Sequence, residues 1–260
     1  MTDANELLEP SPLPQIGDLT IGDILAALSA GWYDFKTAPA FGLFFSAVYV
    51  LGGFALLTLG AGTVAWTLTV SLGFPLVAPF AAVGLYEVSR RLEAGEPLIW
   101  RDILGVVVRE KDRQIPWMGA IIVIYFLFWT FLAHMVFALF MGASALINVS
   151  SSVEFFLTPR GIAMMTTEMV LGSIIAFFLF SLTVVSLPLL LERELDFVTA
   201  MLLSFRTVQQ NLLPMLLWAA IIAALTILAM LPLFLGLFVV LPVLGHATWH
   251  LYRRVLYEPV

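Results

Sequence analysis

The sequence predicts an all-α, polytopic membrane bundle of six transmembrane helices, arranged as three hairpins, and three observations carry that prediction. Hydrophobic side chains make up 61% of the 260 residues and charged ones 12%, against roughly 45–50% and about 25% in a soluble domain. Six segments are long and apolar enough to cross a hydrocarbon core, which takes about 20 residues. Lys and Arg gather in alternate loops, as retention of positive charge on the cytoplasmic side demands.

The six segments are Phe41–Ala61, Val64–Tyr86, Trp117–Ala143, Met165–Leu191, Leu212–Met230 and Leu233–Tyr252. Only Gly62-Thr63 separates the first pair and Leu231-Pro232 the last, so each pair reads as a tight helical hairpin. Backbone polar groups cannot stay unpaired in lipid, which leaves helices or a closed barrel; the unbroken apolar runs exclude the barrel. The chain is read as one membrane domain over residues 18–260, with hairpin units at about 18–95, 96–192 and 193–256. An acidic, disordered tail over residues 1–17 precedes it, and Met1 to Gln15 lacks the basic and apolar regions of a signal peptide.

Orientation follows from the 12 basic residues. Lys36, Arg90, Arg91, Arg101, Arg109, Lys111, Arg113, Arg193, Arg206, Arg253 and Arg254 fall on one side, and Arg160 alone on the other. Both termini are therefore expected in the cytoplasm.

Each hairpin is preceded by the same kind of segment. Thr20-Ile21-Gly22-Asp23 has the form of a capping box, and Ile21, Ile24, Leu25, Leu28 and Trp32 then make an apolar stripe. Trp100-Arg101-Asp102-Ile103-Leu104 repeats that order up to Arg109, and Leu195 to Gln210 is the third copy. All three read as amphipathic helices on the cytoplasmic face. Each is followed by a proline, Pro39, Pro116 or Pro214, suited to the first turn of a helix. The exits of the first and third hairpins agree as well: Pro79 corresponds to Pro242, Tyr86 to Trp249, and Arg90-Arg91 to Arg253-Arg254. Span four ends with Pro188 and then Glu192-Arg193. Pro75, Pro79, Pro188 and Pro242 are candidate kinks, and Gly52-Gly53, Gly60 and Gly62 are candidate close helix contacts.

Several function classes have no footing. The chain has no Cys, which removes disulfides, thiolate catalysis and Cys-bound metal centres. No basic patch interleaved with exposed aromatics supports nucleic-acid binding. No zinc-protease, nucleophile-elbow or phosphate-loop motif is present, so no catalytic residue and no cofactor is expected.

Two groups of residues remain as candidates. Ionisable groups inside a bilayer are expensive and mark function by default; His134 and Glu168 lie within spans three and four and could form a proton or cation relay, or Glu168 could sit at the outer interface with Glu154 and Arg160. The string Gly245-His246-Ala247-Thr248-Trp249-His250-Leu251-Tyr252-Arg253-Arg254 closes span six. His246 and His250, four residues apart, share a helix face and could chelate a metal given a third ligand; two His on one turn cannot be opposite axial ligands of one haem. The competing reading is an interfacial belt with Trp249 and Tyr252, hydrogen-bonding to headgroups and to Glu87 or Glu93. Met164-Met165 and Met169 are soft ligands near the opposite membrane face and cannot complete that site.

Gly31-Trp32-x-Asp34, Ala78-Pro79 with Gly84-Leu85-Tyr86-Glu87, and the closing His-Ala-Thr-Trp-His resemble a proteobacterial family of predicted integral membrane proteins of unknown function. The resemblance implies a bacterial inner membrane and transfers no activity. The expectation is thus a non-enzymatic scaffold or accessory subunit of a membrane complex, with a small-solute or ion transporter as the alternative and metal or haem handling as a weaker one.

Overall fold

The computed structural model describes residues 14–58, 64–142 and 156–257, with the backbone alone for 56–58 and 64–77. Within them every element is an α-helix: α1 (Ile21–Thr37), α2 (Pro39–Thr58), α3 (Val64–Glu93), α4 (Trp100–Glu110), α5 (Ile115–Met141), α6 (Pro159–Thr183), α7 (Ser186–Glu192), α8 (Phe197–Gln210), α9 (Leu212–Met230) and α10 (Leu237–Leu256). By length and composition α5, α6 with α7, and α9 can cross a membrane, and α1 with α2, bent by 101°, makes a fourth candidate. Residues 1–13 of the acidic tail, Gly60, the Gly62-Thr63 turn, Glu154 and Val260 lie outside the described residues.

The capping box forms as its sequence requires. The Thr20 hydroxyl accepts from the Asp23 amide at 3.3 Å, and the Asp23 carboxylate accepts from the Thr20 amide at 2.9 Å, so two donors at the helix start are satisfied reciprocally. The apolar stripe of α1 divides in two. Ile24, Ala27, Gly31 and Asp34 face inward and are buried, whereas Ile21, Leu25 and Trp32 face outward. The inner face lies along α10, and the crossing is at Gly31. A Cβ there would stand 2.5 Å from the Ala247 amide nitrogen and 2.6 Å from the Val243 carbonyl oxygen. Only a residue without a side chain lets the two backbones approach this closely.

Helix α10 is the centre of the molecule, packed by α1, α2, α3 and α9. Its Pro242 is buried. Gly84 of α3 lies beneath the Phe45 ring of α2, and Gly53 of α2 accepts the ring of Phe234, so Gly53 does make a close contact. Leu233 and Phe234 turn the chain into α10 with φ of 53° and 66°, a conformation that costs about 1–2 kcal/mol in a non-glycine residue and is held here by packing on Gly53.

Helices α6 and α7 are one apolar run interrupted after Thr183. Pro188 has no N–H to offer the carbonyl four residues back, and the ladder breaks at Val184-Val185. The gap is closed from α8: the Val185 amide donates to Ser204 Oγ at 3.1 Å, and that hydroxyl donates to the Ser181 carbonyl at 2.8 Å. Helix α8 is itself capped by Asp196, which accepts from the Thr199 amide at 2.9 Å. The fully buried side chains Ile24, Met118, Leu189, Met215, Trp218 and Trp249 belong to one core, which α5 enters through its first turns, at Ile115 and Met118, while the rest of it stays largely outside. Only 6% of its most apolar stretch is buried, against 44% for α6 with α7.

Candidate functional site at the charged base of the bundle

The closing string is not an interfacial belt. Because α1 lies across α10, His246, Trp249 and Tyr252 are buried inside the protein, out of reach of headgroups, and the His, Trp, Tyr and Arg side chains of the string reach partners on α1, α3 and α7. His246 Nδ1 pairs with Ser89 Oγ of α3 at 2.7 Å, while its Nε2 is buried without a partner among the described residues. Trp249 Nε1 donates to Glu93 at 3.0 Å. His250 Nε2 stands 2.8 Å from the buried carboxylate of Asp34 on α1. Tyr252 donates to Glu192 of α7 at 2.5 Å. Arg253 bridges Glu93 at 3.1 Å and Glu192 at 3.3 Å, and Arg254 reaches Asp23 at 3.2 Å.

Glu87 does not meet the histidines. It is buried and holds Arg90 at 2.8 Å and Arg91 at 2.6 Å on its own helix. A buried carboxylate is tolerable only when paired in this way. Arg90 extends to Glu96 at 3.0 Å, and its hydrogen bond holds the Glu96 carboxyl below the usual carboxylate range. Asp23 is likewise lowered, first by the Thr20 hydroxyl and less by Arg254. Glu110 is raised, because burial outweighs the nearby Arg113.

Two tethers were not legible in the sequence. Asn211, between α8 and α9, accepts from the Leu19 amide at 2.6 Å and donates to the Gly17 carbonyl at 3.0 Å, while the Gly17 amide donates to the Val255 carbonyl at 2.7 Å. The segment before α1 is thereby fixed between the start of α9 and the end of α10. Ser89 was also missed: a lone serine directly before Arg90-Arg91 carries no signal of a histidine 157 positions away.

Open cavities flank this network. One, of 620 Å³, is lined by Ser29, Tyr33, Asp34, Thr37, Glu93 and His250, with apolar neighbours. Another, of 530 Å³, is lined by Arg90, Leu191, Glu192, Arg193, Arg253 and Tyr257, and one of 320 Å³ shares Arg90, Glu192 and Arg253 with it and adds Glu93.

His134 and Glu168 lie apart from all of this, on α5 and α6. His134 is exposed on the side of α5, its Nδ1 donating to the Thr130 carbonyl at 2.7 Å, and Glu168 is close enough to interact electrostatically with it. The register follows from Trp129 packing against Gly172 and from Tyr125 donating to the Ile175 carbonyl at 3.1 Å. His246 and His250 are held by Ser89 and Asp34 respectively, and among the described residues no three His, Asp or Glu side chains converge as metal ligands.

Residues 67–192 match a family described as a predicted integral membrane protein (DUF2189). The chain is an integral membrane protein of unknown molecular function. The matched stretch runs from within α3 through α7; it includes Gly84-Leu85-Tyr86-Glu87, His134 and Glu168, while Gly31-Trp32-x-Asp34 and the closing His-Ala-Thr-Trp-His lie outside it. No curated protein and no solved structure matches the chain.

Proposed function

We propose that the protein is a non-enzymatic scaffold or accessory subunit of a larger assembly in a bacterial inner membrane. The observation that carries this reading is how the polar groups at the base are used: Ser89, Glu93, Asp34, Asp23 and Glu192 are joined to α10 side chains. They brace α1, α3 and α7 onto one helix, an arrangement suited to a stiff plate that holds a partner. Above the plate, long apolar faces such as that of α5 are left for lipid or for another membrane protein.

The arrangement that goes with this reading is six spans, in α2, α3, α5, α6 with α7, α9 and α10, each hairpin entered through an amphipathic helix, α1, α4 or α8. Both termini face the cytoplasm, on the argument of the eleven basic residues. The 101° bend between α1 and α2 supports it, since a helix lying in the interface meets a spanning helix near a right angle. A C-terminal reporter active only outside the membrane would overturn the orientation. Affinity purification in mild detergent tests the function: a reproducible stoichiometric partner is expected, and isolation of the lone protein would overturn it.

A second reading, transport of a proton or small cation, is favoured by the proximity of His134 and Glu168. In proteoliposomes it requires a flux that falls when His134→Leu or Glu168→Gln is introduced, and an unchanged flux removes those residues from any pathway.

A further inference from the structure

We propose that the 620 Å³ cavity between α1, the end of α3 and α10 is a binding site for a primary ammonium group on an aliphatic chain. The observation that carries it is Asp34, a carboxylate on the cavity wall that is only 4% exposed. Around it Asp23, Glu87, Glu93, Glu96 and Glu192 each pair with an arginine. Asp34 has His250 as its only side-chain partner among the described residues. An imidazole brings a full positive charge only when it is protonated, and in its neutral form it supplies a single N–H. That N–H, on Nε2, meets Asp34 Oδ2 at 2.8 Å. Asp34 Oδ1 accepts no hydrogen bond among the described residues and is not sealed from solvent.

A buried carboxylate with an open oxygen calls for a donor, and the rest of the wall narrows its chemistry. No lysine or arginine lines the cavity. Glu93, which does line it, is already met by Trp249 and Arg253, so the acceptor left over is Asp34. With the Nε2 proton directed at Asp34, His250 Nδ1 is a lone-pair acceptor; it too is unbonded among the described residues and open to solvent. Ser29 and Tyr33 add hydroxyl oxygens from α1. An ammonium group has three donors and no acceptor, so it matches a wall of acceptors and gives Asp34 the full cation that a neutral imidazole does not. A metal ion does not fit, because among the described residues no three His, Asp or Glu side chains converge. Ala26, Ala30 and Leu92 make the apolar part of the wall. From Ala26 to Thr37 the cavity follows α1 for about 16 Å, which leaves room for a methylene chain beside the charged head. Ser29, Tyr33 and Thr37 lie roughly 100° around α1 from the outward apolar residues Ile21, Leu25 and Trp32. The cavity thus opens beside the apolar face, where a soluble amine and the ethanolamine headgroup of a phospholipid present the same ammonium.

The test uses the full chain purified in neutral detergent and an amine-free buffer. Binding of n-butylamine is measured by isothermal titration calorimetry, and binding of phosphatidylethanolamine in mixed micelles by native mass spectrometry. Saturable binding of one ligand per chain is expected. The quaternary analogues, butyltrimethylammonium and phosphatidylcholine, keep the charge but lack N–H donors and should bind about tenfold or more weakly, since one charge-assisted hydrogen bond contributes at least that much. Asp34→Asn should give a similar loss. Asp112→Asn, at an exposed carboxylate that does not line the cavity, should bind like the parent. Ala30→Leu leaves Asp34 and His250 in place while filling the cavity, and should give the same loss as Asp34→Asn; this keeps the test valid if Asp34→Asn misfolds. Binding of n-butylamine identifies a soluble amine site, and binding of phosphatidylethanolamine alone identifies a headgroup site. No saturable binding of either, equal binding of the quaternary analogues, or equal binding by the parent and both cavity variants overturns the proposal.

Discussion

Replacing Gly31 by alanine should lift α1 off α10, and the size of the effect follows from the geometry of the crossing. The new Cβ would begin 2.5 Å from the Ala247 nitrogen, whereas ordinary contact starts near 3.5 Å, so the helices must separate by about 1 Å. His250 and Asp34, now 2.8 Å apart, would then stand at about 3.8 Å, beyond hydrogen-bonding distance. Overpacking of this kind costs about 1–3 kcal/mol, and a lost hydrogen bond to a charged group about 1.5–3 kcal/mol. The two overlap, so a total near 3 kcal/mol is expected. Thermal unfolding in mild detergent reads the loss, and the absence of native cysteine supplies a second readout. A cysteine at Ala27, which is fully buried on the inner face of α1, should be protected from a maleimide in the parent and become labelled with Gly31→Ala. An unchanged unfolding temperature together with continued protection would refute the reasoning, because α1 would not then be seated on α10 through Gly31.

Other substitutions should act by separate mechanisms. Gly105→Ala, in α4 where an added Cβ meets nothing within 4 Å, should stabilise by about 1 kcal/mol through helix propensity alone, measured by the same unfolding assay. Glu87→Gln removes the buried partner of Arg90 and Arg91 and should destabilise by about 3–5 kcal/mol, far more than Glu194→Gln at the exposed end of the Arg113 pair. The lowered carboxyls of Asp23, Glu96 and Asp196 contribute stability above the ordinary carboxylate pKa of about 4, lost as pH falls through their lowered values. Unfolding temperature should therefore drop on the acid side, and Asp23→Asn should flatten that drop. Glu110 has the opposite sign, since its raised value favours the neutral form in the fold. Its stabilisation is present below the ordinary glutamate value and lost as pH rises through the raised one, so Glu110→Gln should gain stability relative to the parent near neutral pH.

The candidate site was partly legible because some of its signals are local. The helical spacing of His246, Trp249, His250 and Arg253 placed them at one end of α10, and the capping box at Thr20 fixed where α1 begins. Glu93 was expected as a partner in this region and receives Trp249 and Arg253. The identity of the histidine partners was not legible, because Asp34 is 216 positions from His250 and Ser89 is 157 from His246, and no local pattern reports which helices cross. For the same reason the stripe on α1 read as one apolar face, when half of it covers α10.

Composition, apolar run length and the absence of cysteine determined by themselves that this is a helical membrane protein without thiol chemistry, since a bilayer admits no other backbone solution for such a sequence. Tertiary structure alone decided that the closing string is interior. Burial of His246 and Trp249 depends on α1 folding back over α10, and that depends on two backbones meeting at Gly31, a contact between residues more than two hundred positions apart. The same convergence of distant helix ends gathers Arg90, Arg193 and Arg253 around one cavity, although along the chain each is only one more positive charge after an apolar span.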